Sequence, residues 1–100
     1  MPVKVLITRR FKEGMALEVL KRLNQLRAIG INQPGYISGE TLMGMDNPEK
    51  VLVISTWASE DQWKKWKVDP VRKSYEEEVE EFLSEPPEYE IFAYGSVPYP

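Results

Sequence analysis

The fold can be read from residues 51–70, VLVISTWASEDQWKKWKVDP. The opening residues, Val51 to Ala58, are mostly β-branched, aliphatic or aromatic, which is typical of a strand. Ser59 follows, with Gln62 three positions later, and this spacing is a capping box that favours the start of a short helix. The stretch therefore predicts a strong strand that leads directly into a helix.

A longer helix is predicted to follow at once. Asp69 is a good N-cap and Pro70 suits the first helical position, so the helix should extend over about residues 70–84. Pro86 and Pro87 should end it, because proline interrupts helical hydrogen bonding. The side chains expected on its inner face are Val71, Tyr75, Val79, Phe82 and Leu83.

The remaining elements complete a single predicted domain over residues 1–100. Alternation of Val3, Val5 and Ile7 indicates a first strand over about residues 2–10. The other predicted elements are a helix over 13–29, a strand over 36–43, and a last strand over 89–94 that precedes a short tail over 95–100. The order β-α-β-β-α-β predicts the ferredoxin-like α+β fold, an antiparallel sheet with helices on one face.

Two residue types are missing from the chain, which has no cysteine and no histidine. Without cysteine there are no disulfides, thiolate nucleophiles or cysteine-bound metals. Without histidine there is no histidine general base, no serine–histidine triad and no histidine-bound metal or haem. Proton transfer must therefore use carboxylates, lysine, tyrosine, the chain termini or the substrate itself, and no metal site is expected.

Charge and hydropathy argue against two kinds of partner. The formal net charge of −3 disfavours nucleic acid, and the mainly aliphatic third strand lacks the exposed aromatics of an RNA-binding module. No apolar run approaches the roughly 20 residues that a membrane span needs. The first residues, MPVKVLITRRF, alternate like a strand and lack the apolar segment of a signal peptide. A cytoplasmic protein without nucleic-acid or membrane partners is therefore expected.

The third strand predicts a partner of another kind, because it is apolar on both faces. One face carries Val51, Val53 and Trp57, and the other carries Leu52, Ile54 and Ala58. Helices on one side of a sheet can cover only one of these faces, and a large exposed apolar surface usually marks an interface. We expect a homodimer in which a second copy covers the open sheet face. The alternative is a monomer with the tail folded over that face.

Residues 56–66, TWASEDQWKKW, resemble the antibiotic biosynthesis monooxygenase family, a branch of the dimeric α+β barrel superfamily. That family carries a strand ending in Trp, a Ser-Glu start to a short helix, and then a further aromatic residue and a Trp. Pro34-Gly35-Tyr36 is similar to its entry to the second strand. The resemblance implies a dimeric α+β barrel, and it leaves the activity open because one fold hosts many functions.

One branch of the family contains cofactor-free oxygenases of polycyclic phenols, in which the substrate itself activates oxygen. Trp57 matches the Trp at the strand end of that branch, and Trp63 stands where it has a Tyr. The strand Asn of that branch falls at Val53, and its helix Arg falls near Glu76. This chain therefore keeps the aromatic residues of that branch but lacks its Asn and Arg.

A second branch degrades haem. Trp66 matches the Trp that packs against the porphyrin there, but the haem-ligating His falls near Glu76 and an Asn falls near Ile7. Because the chain has no histidine, haem ligation of that type has no candidate residue. We therefore expect no cofactor.

Six residues are candidates for lining a ligand pocket: Trp57, Trp63, Trp66, Tyr36, Tyr75 and Arg72. The three tryptophans could form a flat slot for a planar ligand, and a Tyr could donate a hydrogen bond to a phenolate or ketone oxygen. The alternative is that the aromatic side chains are core. Arg72 belongs to a basic stretch that either attracts an anion or forms a solvated face with the glutamates after it, and Glu76 is either a catalytic base or a surface charge.

Two functions follow from these expectations. The first is a small-molecule-binding dimer resembling cofactor-free monooxygenases that act on quinol or polyphenol substrates. The second is a non-catalytic ligand-binding or interaction dimer of the same fold. A cavity of a few hundred Å³ beside the three tryptophans would favour the first function, and a pocket filled by the chain's own side chains would favour the second.

Overall fold

The structure, a computed structural model, describes residues 1–96 in seven helices and strands. In chain order they are β1 (Val3–Arg10), α1 (Ala16–Gly30), β2 (Tyr36–Met43), β3 (Lys50–Trp57), α2 (Glu60–Lys67), α3 (Pro70–Glu80) and β4 (Glu88–Ala93). This confirms the predicted element order, with two helices between β3 and β4. The tail predicted over residues 95–100 lies largely outside the described residues, as does the alternative in which it covers the sheet.

The four strands form one antiparallel sheet in the order β2-β3-β1-β4. β1 lies in the interior, where Val5 pairs with Ser55 of β3 on one side and with Ile91 of β4 on the other. β2 is an edge strand, and its register with β3 shifts between Tyr36 and Ser38. This topology confirms the ferredoxin-like α+β fold.

The two faces of the sheet differ in burial. Val3, Val5 and Ile7 of β1 are buried with Leu26 of α1 and the tryptophans of α2, so the helices cover this face. The pairing register places the apolar side chains Leu6, Leu42, Leu52, Ile54 and Phe92 on the opposite face. Leu42 and Phe92 are about half exposed there. β3 is therefore apolar on both faces, as its sequence predicts.

Side-chain caps begin the two helices that follow β3. The backbone N–H of Gln62 donates to Ser59 Oγ at 3.2 Å, and the N–H of Val71 donates to Asp69 Oδ1 at 2.8 Å. Both predicted helix starts are therefore confirmed. α1 begins three residues later than predicted, because Gly14 adopts a φ of +81° that a helix does not allow.

The inner face of α3 differs from the prediction. The helix ends at Glu80, so Phe82 and Leu83 lie beyond it, and the side chain of Val71 is exposed. Its buried residues are Arg72, Glu76 and Val79. These three positions are spaced by four and three, which places them on one helical stripe that hydropathy alone would not select.

Among residues 1–96, no helix is long and apolar enough to cross a membrane.

Candidate functional site

A cavity of about 70 Å³ lies between the helices and the sheet, beside the aromatic side chains that follow β3. Its walls come from β1, α1, β2, β3, α2 and α3. Five of the six predicted pocket residues line it: Tyr36, Trp57, Trp63, Trp66 and Arg72. Tyr75 packs against the same cluster of buried side chains but is not part of the cavity wall in the described structure.

The aromatic rings of the wall form a continuous series. Tyr36 meets Trp57 edge to face, with ring centroids 5.4 Å apart, and Trp57 meets Trp63 at 5.7 Å. Trp63 in turn lies 6.3 Å from Tyr89 of β4. These separations are typical of favourable aromatic pairs. Trp57 and Trp63 are almost completely buried, so the rings serve the core and line the cavity together.

A buried charge cluster lies at the same site. Arg9 and Arg72 both donate hydrogen bonds to Glu76 Oε1, Arg72 at 3.2 Å. Arg72 also donates to the hydroxyl of Tyr89 at 3.2 Å and to the carbonyl of Lys67 at 3.3 Å. The two arginines and the glutamate are 1%, 3% and 6% exposed. Two guanidinium groups thus share one carboxylate out of contact with water, which leaves one positive charge uncompensated within the cluster.

This cluster corrects the interpretation of Arg72 and Glu76 as part of a solvated charged face. The two residues are four apart in α3 and turn inward together, where Arg9 completes the pairing. Burial of a charge without a partner is costly, so these three side chains stabilise one another's placement. Glu76 is a buried partner of two arginines rather than a surface charge.

Arg9 is the site residue that the sequence analysis did not select. The alternation of β1 could have predicted that Arg9 points inward. Val3, Val5 and Ile7 face the helices, and Arg9 is the next residue at the same spacing of two. The second signal was the spacing of Arg72 and Glu76, which favours an ion pair on one helical face. Neither signal identifies the partner across the fold.

Buried polar atoms without a hydrogen-bond partner concentrate here. Within residues 1–96 they are Arg9 Nε, Arg9 Nη1, Tyr36 Oη, Trp63 Nε1 and Glu76 Oε2. Arg9, Tyr36 and Trp63 all line the cavity, and Glu76 binds the two arginines of its wall. Because buried polar groups are almost always paired in proteins, this concentration indicates a place for a polar ligand or ordered water.

The exposed residues of the cavity wall are Arg27 of α1 and Glu40 of the edge strand β2, so we infer that the mouth of the cavity lies between these two elements. Arg27 of α1 donates a hydrogen bond to the carbonyl of Gly39 in β2, and both residues line the cavity. Gly39 is needed at this point because a Cβ there would collide with the hydroxyl of Tyr36. The exposed side chain of Arg27 therefore bridges the two elements that border the opening.

The chemistry available in the cavity comes mainly from aromatic faces and hydrogen-bond donors, with hydroxyls of Thr41 and Ser55 beside them. The wall offers guanidinium, indole and phenol groups, and the chain supplies no histidine or cysteine. Within the described residues no three His, Cys, Asp or Glu side chains are grouped as metal ligands. The site can hold and orient an aromatic ligand and can pair an electron-rich oxygen with arginine.

The size of the cavity differs from the expectation of a few hundred Å³. At about 70 Å³ it is smaller than the roughly 150 Å³ that accommodates a benzene ring. The three large tryptophan side chains are buried in the same core cluster and take up space between the helices and the sheet. A ring can enter only if part of the wall moves.

Comparison with solved structures gives the same fold. SnoaB, a cofactor-independent oxygenase from Streptomyces nogalater, has a TM-score of 0.86 at 16% identity, with 96% of this chain and 95% of SnoaB covered. A conserved protein from Methanosarcina mazei Go1 has a TM-score of 0.86 at 17% identity, with 92% and 91% covered. A Mycobacterium tuberculosis protein has a TM-score of 0.87 at 15% identity, with 97% and 98% covered. At such identities the likeness establishes the fold alone.

Among curated proteins, no sequence matches this chain at a significant level. A family model does match, over residues 2–78, and that model describes the antibiotic biosynthesis monooxygenases. The match includes β1 with Arg9, the three tryptophans, and α3 as far as Glu76. Because it extends over more than half of the chain, this chain belongs to the antibiotic biosynthesis monooxygenase family.

Proposed function

We propose that the protein binds a planar phenol or quinol in the tryptophan-lined cavity and oxygenates it without a cofactor. In this reaction a ring carbon para to the phenolic hydroxyl becomes a carbonyl, so the phenol becomes a quinone. One atom of O₂ forms that carbonyl, and the other leaves as water with the ring hydrogen and the phenolic hydrogen. The ring gives up the four electrons that reduce O₂.

One observation supports this function above others, namely a buried aromatic cavity whose wall holds unpartnered polar atoms. Trp57 and Trp63 offer ring surfaces, while Tyr36 Oη and Trp63 Nε1 lack hydrogen-bond partners. Ligand sites combine apolar walls with a few convergent polar groups in this way. The dry surroundings would separate an easily oxidised ring from bulk water. SnoaB, which has the same fold, is a cofactor-independent oxygenase.

Binding requires the mouth of the cavity to widen. The bridge from Arg27 to the carbonyl of Gly39 is the contact to release first, because Arg27 is exposed and β2 is an edge strand. Movement of this long side chain would open the gap between α1 and β2, and the tryptophan wall must then shift to make room for a ring. Arg27 thus serves as the gate in this proposal.

The active form in this proposal is a cytoplasmic homodimer joined through the open face of the sheet. That face carries a central apolar stripe, with Lys4 and Arg10 on β1 and acidic side chains on the outer strands, Glu40, Glu88 and Glu90. A second copy related by a two-fold axis can cover the stripe and set acidic against basic side chains.

Tryptophan fluorescence during titration with planar phenols and quinones, with haem as a comparison compound, tests the binding step. We expect saturable quenching by a phenol that is lost in Trp63→Leu. The matched control is Phe92→Leu, which removes an exposed aromatic side chain from the opposite face of the sheet and should leave quenching unchanged. Oxygen uptake with each binding phenol then tests the reaction.

The small cavity favours one alternative, a non-catalytic ligand-binding or interaction dimer of the same fold. A non-catalytic dimer of this kind is expected to have a pocket filled by the chain's own side chains, and the cavity volume of about 70 Å³ agrees with that expectation. Binding of a phenol without oxygen uptake would support a non-catalytic binding protein. Absence of any response would support an interaction dimer.

A further inference from the structure

The unpartnered polar atoms at the cavity are mostly hydrogen-bond donors. The unpartnered groups are Arg9 Nε, Arg9 Nη1 and Trp63 Nε1, which can only donate, and Tyr36 Oη, which can donate or accept. A single unpartnered acceptor, Glu76 Oε2, stands against them. The group that would satisfy this wall is therefore an acceptor.

The charges around the cavity also favour an acceptor, and specifically an anionic one. Arg9 and Arg72 share the one carboxylate of Glu76, so the buried cluster holds one more cation than anion. Arg72 makes three hydrogen bonds, because besides Glu76 it also donates to Tyr89 and to the carbonyl of Lys67. Arg9 has a single partner in the described structure, although five N–H bonds of a guanidinium are available. Arg9 is therefore the cation that has N–H groups free to bind a further acceptor within the described structure.

Aromatic surroundings set the rest of the ligand's chemistry. Arg72 lies 5.1 Å from the ring of Trp63 and 5.6 Å from that of Tyr89, so both rings already stack on a cation. The remaining ring surfaces of the cavity belong to Trp57, Trp66 and Tyr36. A ligand with a planar ring and one anionic oxygen would match both parts of the wall.

We infer that Arg9 forms a buried anion subsite and that the ligand is an aromatic acid bound through its charged oxygen. This inference rests on the proposed function, since it concerns the same cavity, and it narrows the ligand class from phenols in general to those that are ionised when bound. The anionic oxygen is either a carboxylate or an ionised ring hydroxyl. Arg9 offers two unpartnered nitrogens, Nε and Nη1, on different edges of the guanidinium, and either can donate a charge-assisted hydrogen bond to that oxygen.

The test compares acids with neutral compounds of the same shape at neutral pH. 2-Naphthoate is paired with 2-naphthamide, and 2-hydroxy-1,4-naphthoquinone, which is ionised at that pH, is paired with 1,4-naphthoquinone. Calorimetric titration of the wild-type protein should show each acid binding about tenfold or more tightly than its neutral partner. Preference within only the first pair identifies a carboxylate ligand, and preference within only the second identifies an ionised hydroxyl.

Two variants locate the effect. Arg9→Gln should remove the preference for acids, while Glu76 keeps Arg72 as a partner in that variant. Arg9→Lys keeps the charge and should retain only part of the preference for acids. This variant replaces Arg9→Gln as the test if Arg9→Gln does not fold. The control is Arg22→Gln, which removes an arginine that pairs with Glu18 on α1 and lies outside both the cavity wall and the open sheet face. It should bind as the wild type does.

The outcomes separate this inference from the proposed function. Equal binding of acids and neutral compounds overturns the anion subsite and leaves the aromatic cavity standing. A preference for acids that persists in both Arg9 variants also overturns it, because the anion would then bind elsewhere. Preferred binding of acids without oxygen uptake by any phenol upholds the subsite and overturns the oxygenation. Failure of all four compounds to bind overturns both.

Discussion

At the residue scale, the buried cluster depends on Glu76, because Arg9 has no other hydrogen-bond partner within residues 1–96. Glu76→Ala should lower the free energy of unfolding by about 3–5 kcal/mol, the usual cost of leaving a buried charge unpaired. Glu76→Gln should cost less, since both arginines donate to one oxygen and an amide oxygen there can still accept both hydrogen bonds. Urea denaturation followed by tryptophan fluorescence measures both.

The control for this prediction is Glu77→Gln, which removes one negative charge from the exposed side of the same helix. It should change the free energy of unfolding by less than about 0.5 kcal/mol. Equal effects of Glu76→Ala and Glu77→Gln would contradict the role of the cluster in stability.

Arg27 is the second residue with a separable role. Arg27→Ala removes the bridge to Gly39 and should raise the association rate constant of a binding phenol severalfold, because the mouth no longer has to open first. Stopped-flow fluorescence measures this rate. Lys21→Ala, on the exposed side of the same helix, is the control. An unchanged rate in Arg27→Ala would show that the ligand enters elsewhere.

At the scale of single elements, α2 positions Trp63 and Trp66, and its start depends on the cap by Ser59. Ser59→Ala leaves the N–H of Gln62 without its acceptor and should cost about 1 kcal/mol of unfolding free energy. Ser74→Ala, at an exposed position inside α3, is the control and should be nearly neutral. Thermal denaturation compares them, and a stable Ser59→Ala variant would mean that packing of the tryptophans alone holds the helix.

The turn before β2 is a second element with a measurable constraint. Gly35 has a φ of +89°, and an added Cβ would lie 2.8 Å from Cβ of Gln62. Gly14 has a φ of +81° with open space around it. Gly14→Ala should therefore lower the free energy of unfolding by about 1 kcal/mol, from backbone strain alone. Gly35→Ala should lower it by about 1–3 kcal/mol more, because its Cβ also collides with Gln62. Equal values in urea denaturation would show that Gln62 moves aside freely.

At the scale of the whole molecule, the uncovered sheet face determines assembly. Ile54→Lys places a charge in the middle of its apolar stripe and should weaken the proposed dimer about 100-fold or more. Sedimentation velocity across a dilution series measures the change. Leu17→Lys is the control, because Leu17 is highly exposed on α1. A wild-type protein that sediments as a monomer at all concentrations would contradict the dimer.

Most of the fold was predictable from sequence because its signals are local. Caps at Ser59 and Asp69 fixed two helix starts, and the alternation of β1 identified the first strand. The errors occurred where a non-local partner overrides the local pattern. Val71 was assigned to the inner face of α3 by hydropathy, but Arg72 occupies that face because Glu76 and Tyr89 are available to it there.

The sequence by itself determined the element order, the gathering of three tryptophans at the end of β3 and in the helix after it, and the absence of histidine and cysteine chemistry. Tertiary structure alone decided the pairing of Arg9 with Glu76, which are 67 positions apart, and the small volume of the cavity. The physical reason is that helix and strand periods depend on neighbours along the chain. The pairing of a buried charge and the space left between rings depend on side chains that only folding brings together.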